Sequence, residues 1–499
     1  MLHFTDLLHP TVIVLWLLGM LFGIFVGATP GLTATMAVAL IVPIAISMEP
    51  AAGLAMIIGV SFTAIFAGDI PATYLRIPGT PASAAATLDG FAMAQKGRGR
   101  QALMIDLFCS ALGGLVGVLL LILVAPLLAR AALAFGSQEK MWLAVLGLSM
   151  SAVVSQGSTI KGLLAALLGV LLATVGNDVA TAQPRYSLGL TALQRETSDF
   201  LIPAMIGLFG LSEVLRSVRH KESMAKSSAV DHSHASLSET LAAIWRNKFT
   251  ALGSSIIGTV IGALPGAGAD IAAWGAYGIA QRTSRKPEQF GTGCEQGVIA
   301  PTSANNAAVA GAWIPALVFG VPGDAVTAIV LGALVMYDVT PGPAIFESGG
   351  PVYIIFVIAL ITQLLLLPAG LAGIYGFGFI LRLPRSIVFS AVLLFSVVGA
   401  YAINQNIADV GVMIGFGLLG YYLESQKVPL APLILGMILG VMIETYLRAS
   451  LIASHGDVAA LFTRPISMGL VALLVLAMVG VPLFKAMLKW GRRTPPHAS

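Results

Sequence analysis

The chain has very little charge for its length. Its 499 residues include 27 Lys or Arg and 23 Asp or Glu, so that 10% are charged, whereas 57% are hydrophobic. Soluble domains carry about 25% charged residues, and a chain with so few could not cover the surface of a soluble fold. The sequence therefore predicts a polytopic membrane protein that faces lipid over much of its area.

Cysteine and grouped basic residues are also scarce. The two cysteines, Cys109 and Cys294, have no metal-ligand spacing and cannot make a disulfide framework. The basic residues are scattered and do not form the stripe that nucleic-acid binding requires. The first ten residues contain no Lys or Arg. The basic region of a cleavable signal is therefore missing, and we expect the first apolar run to stay as a helix.

Patterns of intramembrane catalysis are absent as well. Such an enzyme needs a nucleophile with its base, an aspartate pair on paired helices, or a His-Glu-x-x-His motif. The sequence shows none of these, and a metal role for His232 and His234 in a polar stretch is disfavoured. We therefore expect no enzymatic activity, no catalytic residue, no cofactor and no bound metal beyond a possible Na⁺.

What the chain does have is long apolar runs, rich in glycine and proline. The runs are unbroken rather than alternating, which indicates helices and not a β-barrel. Several are shorter than the roughly 20 residues that a full span needs, and others are interrupted by Pro-Gly. We expect an all-α polytopic protein with about 11–14 transmembrane or re-entrant helices.

The distribution of Lys and Arg predicts the topology. Basic clusters at residues 96–100, 216–248, 282–286, 382–385 and 485–493 are all cytoplasmic if the N-terminus is outside and the C-terminus inside. Asp89 and residues 96–100 are interpreted as one cytoplasmic loop. The domain prediction is a first membrane half at 1–217, a cytoplasmic polar linker at 218–248 and a second membrane half at 249–499.

The two halves share a repeat, with cores at about 12–101 and 249–345. A Gly-x3-Gly-x2-Pro-Gly motif begins at Gly23 and recurs at Gly258. An Ile-Pro-x6-Pro-Gly motif begins at Ile70 and recurs at Ile314. The first unit starts outside and ends at a basic, inside loop, whereas the second starts inside at Lys248. Inverted repeats with interrupted helices in matching positions are typical of secondary transporters.

The Pro-Gly breaks predict half-helices with free N–H groups. Non-helical backbone persists at membrane depth only where protein buries it or where it lines a wet cavity. Each break starts a half-helix whose N-terminus attracts an anion. The alternative is that glycine and proline only kink helices or let them pack closely.

The same motifs resemble the TctA family, the large membrane subunit of tripartite tricarboxylate transporters. The likeness is carried by Leu264-Pro-Gly-Ala-Gly-Ala, by the stretch from Lys286 through Gly-Thr-Gly-Cys-Glu to Asn305-Asn306, and by Ile314-Pro with Val321-Pro-Gly-Asp. Pro30-Gly-Leu and residues 89–97 also fit. Asp69, Arg76, Ala92 and Thr302 depart from the usual pattern.

The resemblance implies a three-part uptake system in the bacterial inner membrane. A periplasmic TctC-like binding protein delivers a small carboxylate, and a small TctB-like membrane subunit accompanies the large one. A Na⁺ or H⁺ gradient drives secondary active uptake. The alternative is a stand-alone ion-coupled organic-anion carrier or an exporter without a binding protein. A passive channel fits less well, because no filter-like sequence or charged ring is present.

Candidate site residues lie at and near the breaks. The substrate-binding candidates are Gly31, Thr33, Arg76, Gly79, Thr80, Ser83, Gly266, Gly268, Asn305, Asn306 and Gly323. The ion-coupling candidates are Asp69, Asp270, Thr302, Ser303 and Asp324. A lone Arg76 in an apolar stretch is expensive unless it pairs with a substrate carboxylate or, alternatively, with Asp69.

Each of the other candidates also has a structural alternative. Asp324 and Asp270 could be helix N-caps. The two asparagines could join helices by hydrogen bonds, and the Ser and Thr residues could be ordinary packing residues.

Overall fold

The computed structural model describes residues 4–154, 158–178, 181–187, 189, 193–219, 236–346, 351–382 and 384–480. Within these ranges the chain is almost entirely helical, with a single hairpin of the two-residue strands β1 (Gly176–Asn177) and β2 (Pro184–Arg185). The predicted all-α architecture is confirmed.

The described chain contains twenty α-helices. The first eight are α1 (Pro10–Ala28), α2 (Ala34–Ile46), α3 (Pro50–Ala67), α4 (Asp69–Leu75), α5 (Ser83–Gln95), α6 (Gly99–Ala132), α7 (Ser137–Val154) and α8 (Thr159–Ala173). The next six are α9 (Thr197–Met205), α10 (Ser212–Arg219), α11 (Leu237–Arg246), α12 (Lys248–Gly262), α13 (Gly268–Thr283) and α14 (Glu295–Phe319). The last six are α15 (Ala325–Met336), α16 (Pro351–Ile380), α17 (Arg385–Asn404), α18 (Ile407–Ser425), α19 (Leu430–Ala453) and α20 (Pro465–Val475).

Eight segments of the described chain are long and apolar enough to cross a membrane, and five shorter apolar helices accompany them. A chain with this many spans is a multi-pass membrane protein. α14 does not qualify as an apolar span, because it carries Thr, Ser and two Asn residues, yet all of its residues 297–318 are buried. Other helices of the protein, and not lipid, therefore surround α14.

Packing divides the chain into two units. The first consists of Met1–Ala132 and Ser198–Ser425, and the second of Leu133–Thr197 and Gln426–Ser499. These units do not follow the predicted halves at 1–217 and 249–499, which describe the repeat and stay a prediction. In the predicted linker, α11 is helical, whereas residues 220–235, with His232 and His234, lie outside the described residues.

All four predicted breaks interrupt helices. α1 ends before Pro30-Gly31, and Thr33 then caps α2 by accepting a hydrogen bond from Met36 N. The second, third and fourth breaks separate α4 from α5, α12 from α13 and α14 from α15. Proline lacks the N–H that a helix needs and glycine accepts non-helical angles, so the sequence ends the helices locally.

The breaks of the two repeats have matching contacts. A Cβ placed on Gly79 would lie 2.5 Å from Gly27 O and 2.7 Å from Gly68 Cα. A Cβ on Gly323 would lie 2.6 Å from Gly262 O and 2.6 Å from Ala312 Cβ. Gly27 and Gly262 hold equivalent motif positions, as do residues 68 and 312. The internal repeat read from the sequence is therefore also a repeat of close backbone contacts.

Helices run in the same direction at the tightest contacts within each repeat. In each pair of helices, the numbers of the contacting residues increase together, as parallel helices require. The contacts are Gly19–Met56, Gly23–Val60 and Gly27–Ala64 for α1 and α3, and Gly258–Ala304 and Gly262–Ala308 for α12 and α14. Small residues allow backbones to approach closely, which drives helix association in lipid.

The two repeats run in opposite directions. α4 is antiparallel to α6, because Asp69 interacts with Asp106 while Tyr74 packs at Gly99. α6 is parallel to α14, where Gly113 packs on residue 303 and Gly117 on residue 307. α14 therefore runs opposite to α4, its counterpart in the first repeat. The predicted inversion is confirmed.

The repeats also exchange packing partners. α5 of the first repeat packs on α13 and α14 of the second, and α15 of the second packs on α2 of the first. Likewise α6, which follows the first repeat, packs on α14, and α16 packs on α3. Each repeat thus covers part of the surface of the other, and helices of both repeats meet at α14.

The second unit is held by glycine contacts and by ion pairs. α8 and α19 approach closely at Gly169 and Gly436. Arg185 Nη1 lies 2.6 Å from Glu444 Oε1, and Arg448 Nη2 lies 2.8 Å from both Asp178 Oδ2 and Glu444 Oε1. The hairpin that carries Arg185 is therefore fixed to α19 by a network of ion pairs.

Asp89 joins α5 to the loop before α14. It lies within α5, not in a cytoplasmic loop as predicted, and is fully buried. Its carboxylate accepts hydrogen bonds from Gly291 N (2.9 Å), Gly293 N (2.8 Å) and Cys294 N (2.7 Å), and from Tyr277 Oη (2.9 Å). Several donors on one carboxylate compensate for its burial. These hydrogen bonds hold α5 of the first repeat against the loop before α14 in the second repeat.

The glycine contacts at the breaks should tolerate no side chain. We expect Gly79→Ala and Gly323→Ala each to lower the free energy of unfolding by about 1–3 kcal/mol, because backbone atoms cannot yield to the added methyl group. Thermal unfolding of the purified protein measures this. Gly253→Ala in α12 is the control, since a Cβ there meets nothing within 4 Å. Equal stability of all three variants would contradict the close packing.

The Asp89 contacts should protect Cys294 from alkylation. Burial, and to a lesser degree Asp89, raises the pKa of the Cys294 thiol, so the reactive thiolate is scarce at neutral pH. In Asp89→Ala the loop loses its acceptor, at a cost of about 3 kcal/mol or more. We expect maleimide labelling of Cys294 to become faster, and Tyr277→Phe, which removes one donor, to have a smaller effect.

Cys294→Ser is the control for this labelling. Cys109 is fully buried and should not react, so the Cys294→Ser variant should remain unlabelled. An unchanged labelling rate in Asp89→Ala would show that other contacts hold the loop.

Candidate functional site

Asp69 is the first residue of α4 and lies where helices of the two repeats meet. Its side chain is 1% exposed, and its Oδ2 accepts a hydrogen bond from Asn305 Nδ2 at 3.3 Å. The Ser83 hydroxyl and the Asp106 carboxyl group also interact with it. Asp69 thus connects α4 with α5, α6 and α14.

Asp106 is the second buried carboxyl group at this place, and the sequence analysis did not single it out. It lies in the long apolar helix α6, is 1% exposed, and accepts a hydrogen bond from Ser110 Oγ at 3.1 Å. Asp69 and Asp106 form an aspartate pair on neighbouring helices, which the sequence analysis wrongly considered absent. The available signal was a lone carboxylate inside an apolar run, because such residues are costly in a membrane and usually functional.

Thr80 and Ser83 reach the pair through the second break. Their hydroxyl oxygens are 2.8 Å apart, and both residues are buried. Gly68 makes room for them, since a Cβ there would lie 2.8 Å from Ser83 Oγ. The break therefore brings the N-terminal turn of α5 beside Asp69.

α14 contributes the amides. Asn305 donates to Asp69, and Asn306 Nδ2 donates to the backbone oxygen of Ser110 at 3.3 Å. Ser303 is buried nearby, where its backbone packs on Gly113 of α6. We call the following buried residues the central polar cluster: Asp69, Thr80, Ser83, Asp106, Ser110, Ser303, Asn305 and Asn306.

Several oxygen atoms of the central polar cluster have no hydrogen-bond partner. They are Asp69 Oδ1, Asp106 Oδ2, Ser303 Oγ, Asn305 Oδ1 and Asn306 Oδ1. A buried polar atom without a partner costs free energy and calls for a specific explanation. Most of these atoms are acceptors, so the cluster is short of donors or positive charge.

Asp270 and Asp324 form a separate acidic group at the breaks of the second repeat. Asp324 is the N-cap of α15 and accepts a hydrogen bond from Thr327 N at 2.8 Å in a capping box. The N-cap role that the sequence analysis gave as an alternative is confirmed. Gly266 N donates to Gly323 O at 2.7 Å and joins the two breaks. Asp270 faces both Asp324 and the backbone N–H of Ala82, at the start of α5.

Arg76 does not lie in the central polar cluster. It is exposed, its guanidinium lies 5.6 Å from the centroid of the Phe91 ring, and no ion pair joins it to Asp69. Its backbone is left-handed (φ 57°), as is that of Gly320 at the matching position of the second repeat (φ 69°). Its predicted role in substrate binding stays a prediction.

Gly31, Thr33 and Thr302 are among the other candidates that lie outside the cluster. Thr33 caps α2, and Gly31 has a φ of 93°, where an added Cβ would lie 3.7 Å from Ser217 Oγ. The Thr302 hydroxyl donates to Val298 O of its own helix at 2.9 Å. In the described part of the chain, no group of three or more His, Cys, Asp or Glu residues could hold a metal ion.

The comparisons with known proteins agree with this architecture. Residues 13–435 match the Tripartite tricarboxylate transporter TctA family. The chain is 35% identical over 480 residues to an Agrobacterium vitis protein described as "Uncharacterized 52.8 kDa protein in TAR-I ttuC' 3'region", covering 94% of this chain and 93% of that protein. It is 36% identical over 217 residues to a second A. vitis protein, "Uncharacterized protein in TAR-II ttuC' 3'region", covering 43% of this chain and 90% of that protein.

No solved structure matches the chain. The family match nevertheless includes both repeats and every residue of the central polar cluster. The resemblance inferred from the Pro-Gly motifs is thus confirmed, and the chain belongs to the TctA family of membrane components of tripartite tricarboxylate transporters.

Proposed function

We propose that this chain is the large membrane subunit of a secondary active uptake system for a small di- or tricarboxylate. The observation that carries the proposal is the pair of inverted, mutually packed repeats that enclose a buried polar cluster. Inverted repeats support alternating access, because exchanging the conformations of the two repeats turns an outward-open site into an inward-open one. Family membership supports the same function.

The proposed system has further parts. A periplasmic TctC-like binding protein supplies the carboxylate, a small TctB-like subunit accompanies the large one, and a Na⁺ or H⁺ gradient drives uptake. The chain would lie in the bacterial inner membrane with its C-terminus in the cytoplasm. The family supports the partners, and the scarcity of charge together with the basic loops supports the topology.

The central polar cluster is the proposed transport site. Hydroxyl groups of Thr80 and Ser83 and the amide of Asn305 are neutral groups that can donate to a carboxylate. Helices α4 and α5 of the first repeat, α6 after it and α14 of the second repeat meet there, so motion between repeats would reshape the site. Water does not reach the cluster in this conformation, since its side chains are buried.

Two other functions fit less well. A stand-alone carrier would share the same repeats, and only the need for a binding protein separates it from the proposal. An intramembrane peptidase could use an aspartate pair, but Asp69 and Asp106 are buried without access for a substrate chain, and the family is a transporter component.

Uptake into proteoliposomes tests the proposed function. The chain and its small partner subunit are reconstituted, and labelled di- and tricarboxylates are offered with and without the binding protein, under an imposed Na⁺ or H⁺ gradient. We expect accumulation only when both the binding protein and a gradient are present. Accumulation without the binding protein would indicate a stand-alone carrier, and no uptake beside an active control transporter would reject carboxylates.

Substitutions at Asn305 and Arg76 test the location of the site. Asn305→Ala removes a buried donor, and we expect it to lower uptake at subsaturating substrate by about 10- to 100-fold, the effect of losing one hydrogen bond to a charged group. Arg76→Ala should have a smaller effect, because Arg76 is exposed. The ratio of kcat/KM values decides between them, with thermal unfolding as the control for folding. A larger loss of kcat/KM in Arg76→Ala than in Asn305→Ala would place the substrate site at Arg76 instead.

A further inference from the structure

Asp69 and Asp106 are two acids in contact without a base. Both are 1% exposed, and each carboxyl group interacts directly with the other. The ion pairs found in the described part of the chain involve other residues, so no Lys, Arg or His neutralises either member. Buried charges are normally paired, which makes this pair an exception.

Basic groups of α6 and of α11 and α12, which pack on α6, engage other partners: Arg100 lies over a tyrosine ring, Arg246 pairs with a glutamate, and Lys248 lies over a tryptophan ring. α1 and α3 contain no titratable side chain, and α16 contains none but tyrosines. α5 and α14 contribute the neutral groups of Ser83 and Asn305. The Cys109 thiol, which lies one turn from Asp106 on α6, is an acid and not a base. Two carboxylates in one dry site repel each other strongly, so their ionisations are coupled, and burial favours a state in which the pair shares one proton.

The unpartnered oxygens point to the same missing donor. Asn305 is fully buried and bonded to Asp69, yet its Oδ1 has no partner, as is also true of Asp69 Oδ1 and Asp106 Oδ2. A proton on one carboxyl group supplies an O–H donor inside a group of acceptors. A carboxylate substrate also needs this proton, because it could not approach two ionised aspartates.

The position of the pair suits a carrier of protons. Position 313 in the second repeat, which matches Asp69, is a buried tryptophan, so this position carries an acid in the first repeat only. α4 is a short segment between Gly68 and the left-handed Arg76. It meets α14 of the oppositely oriented repeat through Asn305. Motion of one repeat against the other therefore changes the surroundings of the pair.

We propose that Asp69 and Asp106 together take up one proton from the outer side and release it to the inner side in each transport cycle. This inference rests on the proposed function and names H⁺ as the coupling ion. The proton bonds to a carboxylate oxygen of the pair before the substrate binds. It leaves that oxygen for water when the substrate has been released inside, and the pair returns with its charge restored.

Infrared spectroscopy of the purified protein tests the proton without any substrate. A protonated carboxyl group has a C=O stretch distinct from that of a carboxylate. At neutral pH we expect wild type to show one more protonated carboxyl group per chain than the double variant Asp69→Asn/Asp106→Asn. Asp409→Asn, which changes a buried aspartate of α18 bonded to Asn404, should keep the signal of the pair. Equal signals in wild type and the double variant, or no carboxylic-acid signal in wild type, would overturn the proposal.

Transport measurements test the coupling. With an imposed pH gradient, we expect Asp69→Asn and Asp106→Asn to lose accumulation entirely, and thermal unfolding of both variants is the control for folding. Asp409→Asn should accumulate substrate as wild type does.

Two outcomes separate this inference from the proposed function. Wild-type uptake that depends on a Na⁺ gradient and not on the pH gradient would support the proposed function and overturn the assignment of H⁺ as the coupling ion. If wild type transports no carboxylate at all, the proposed function fails, and the infrared result still decides whether the pair holds a proton.

Discussion

The structure depends on keeping the polar groups of α14 away from lipid. This helix carries hydroxyl and amide side chains along a stretch that is buried on every side. A polar group in hydrocarbon is costly, so other helices must surround α14 completely. The glycines of α6 and α12 make that possible, because they place backbone directly on α14. The helices that shield α14 come from both repeats, which explains why neither repeat is complete alone.

Much of the fold could be predicted because its decisive signals are local. Pro30-Gly31 and the other three breaks end helices through the backbone alone, and a repeated spacing of such residues reveals the repeat. Asp324 capped its helix in the way that its position suggested. The predicted loop at Asp89 was wrong, because its burial depends on backbone donors more than 200 residues away along the chain.

The site was harder to predict than the fold. Asp69, Thr80 and Ser83 were identified because they lie near a break, and Ser303 and both asparagines because they are polar residues in an apolar run that resembles a family motif. Asp106 was missed, since one carboxylate in a long apolar run has no spacing pattern. Its importance depends on contact with Asp69, and that contact needs the antiparallel arrangement of α4 and α6. The exposure of Arg76 likewise depends on the tertiary path of the chain after α4.

The hydrogen bonds between Asp89 and the loop before α14 have a kinetic consequence. The Asp89 carboxylate accepts hydrogen bonds from three backbone N–H groups of this loop and from a tyrosine, so a motion that parts α5 from the loop must break those bonds together. Packed and hydrogen-bonded interfaces of this kind switch between discrete arrangements instead of deforming gradually. The contact therefore stabilises the joined arrangement and also raises the activation barrier for separating the two repeats at this end of their interface.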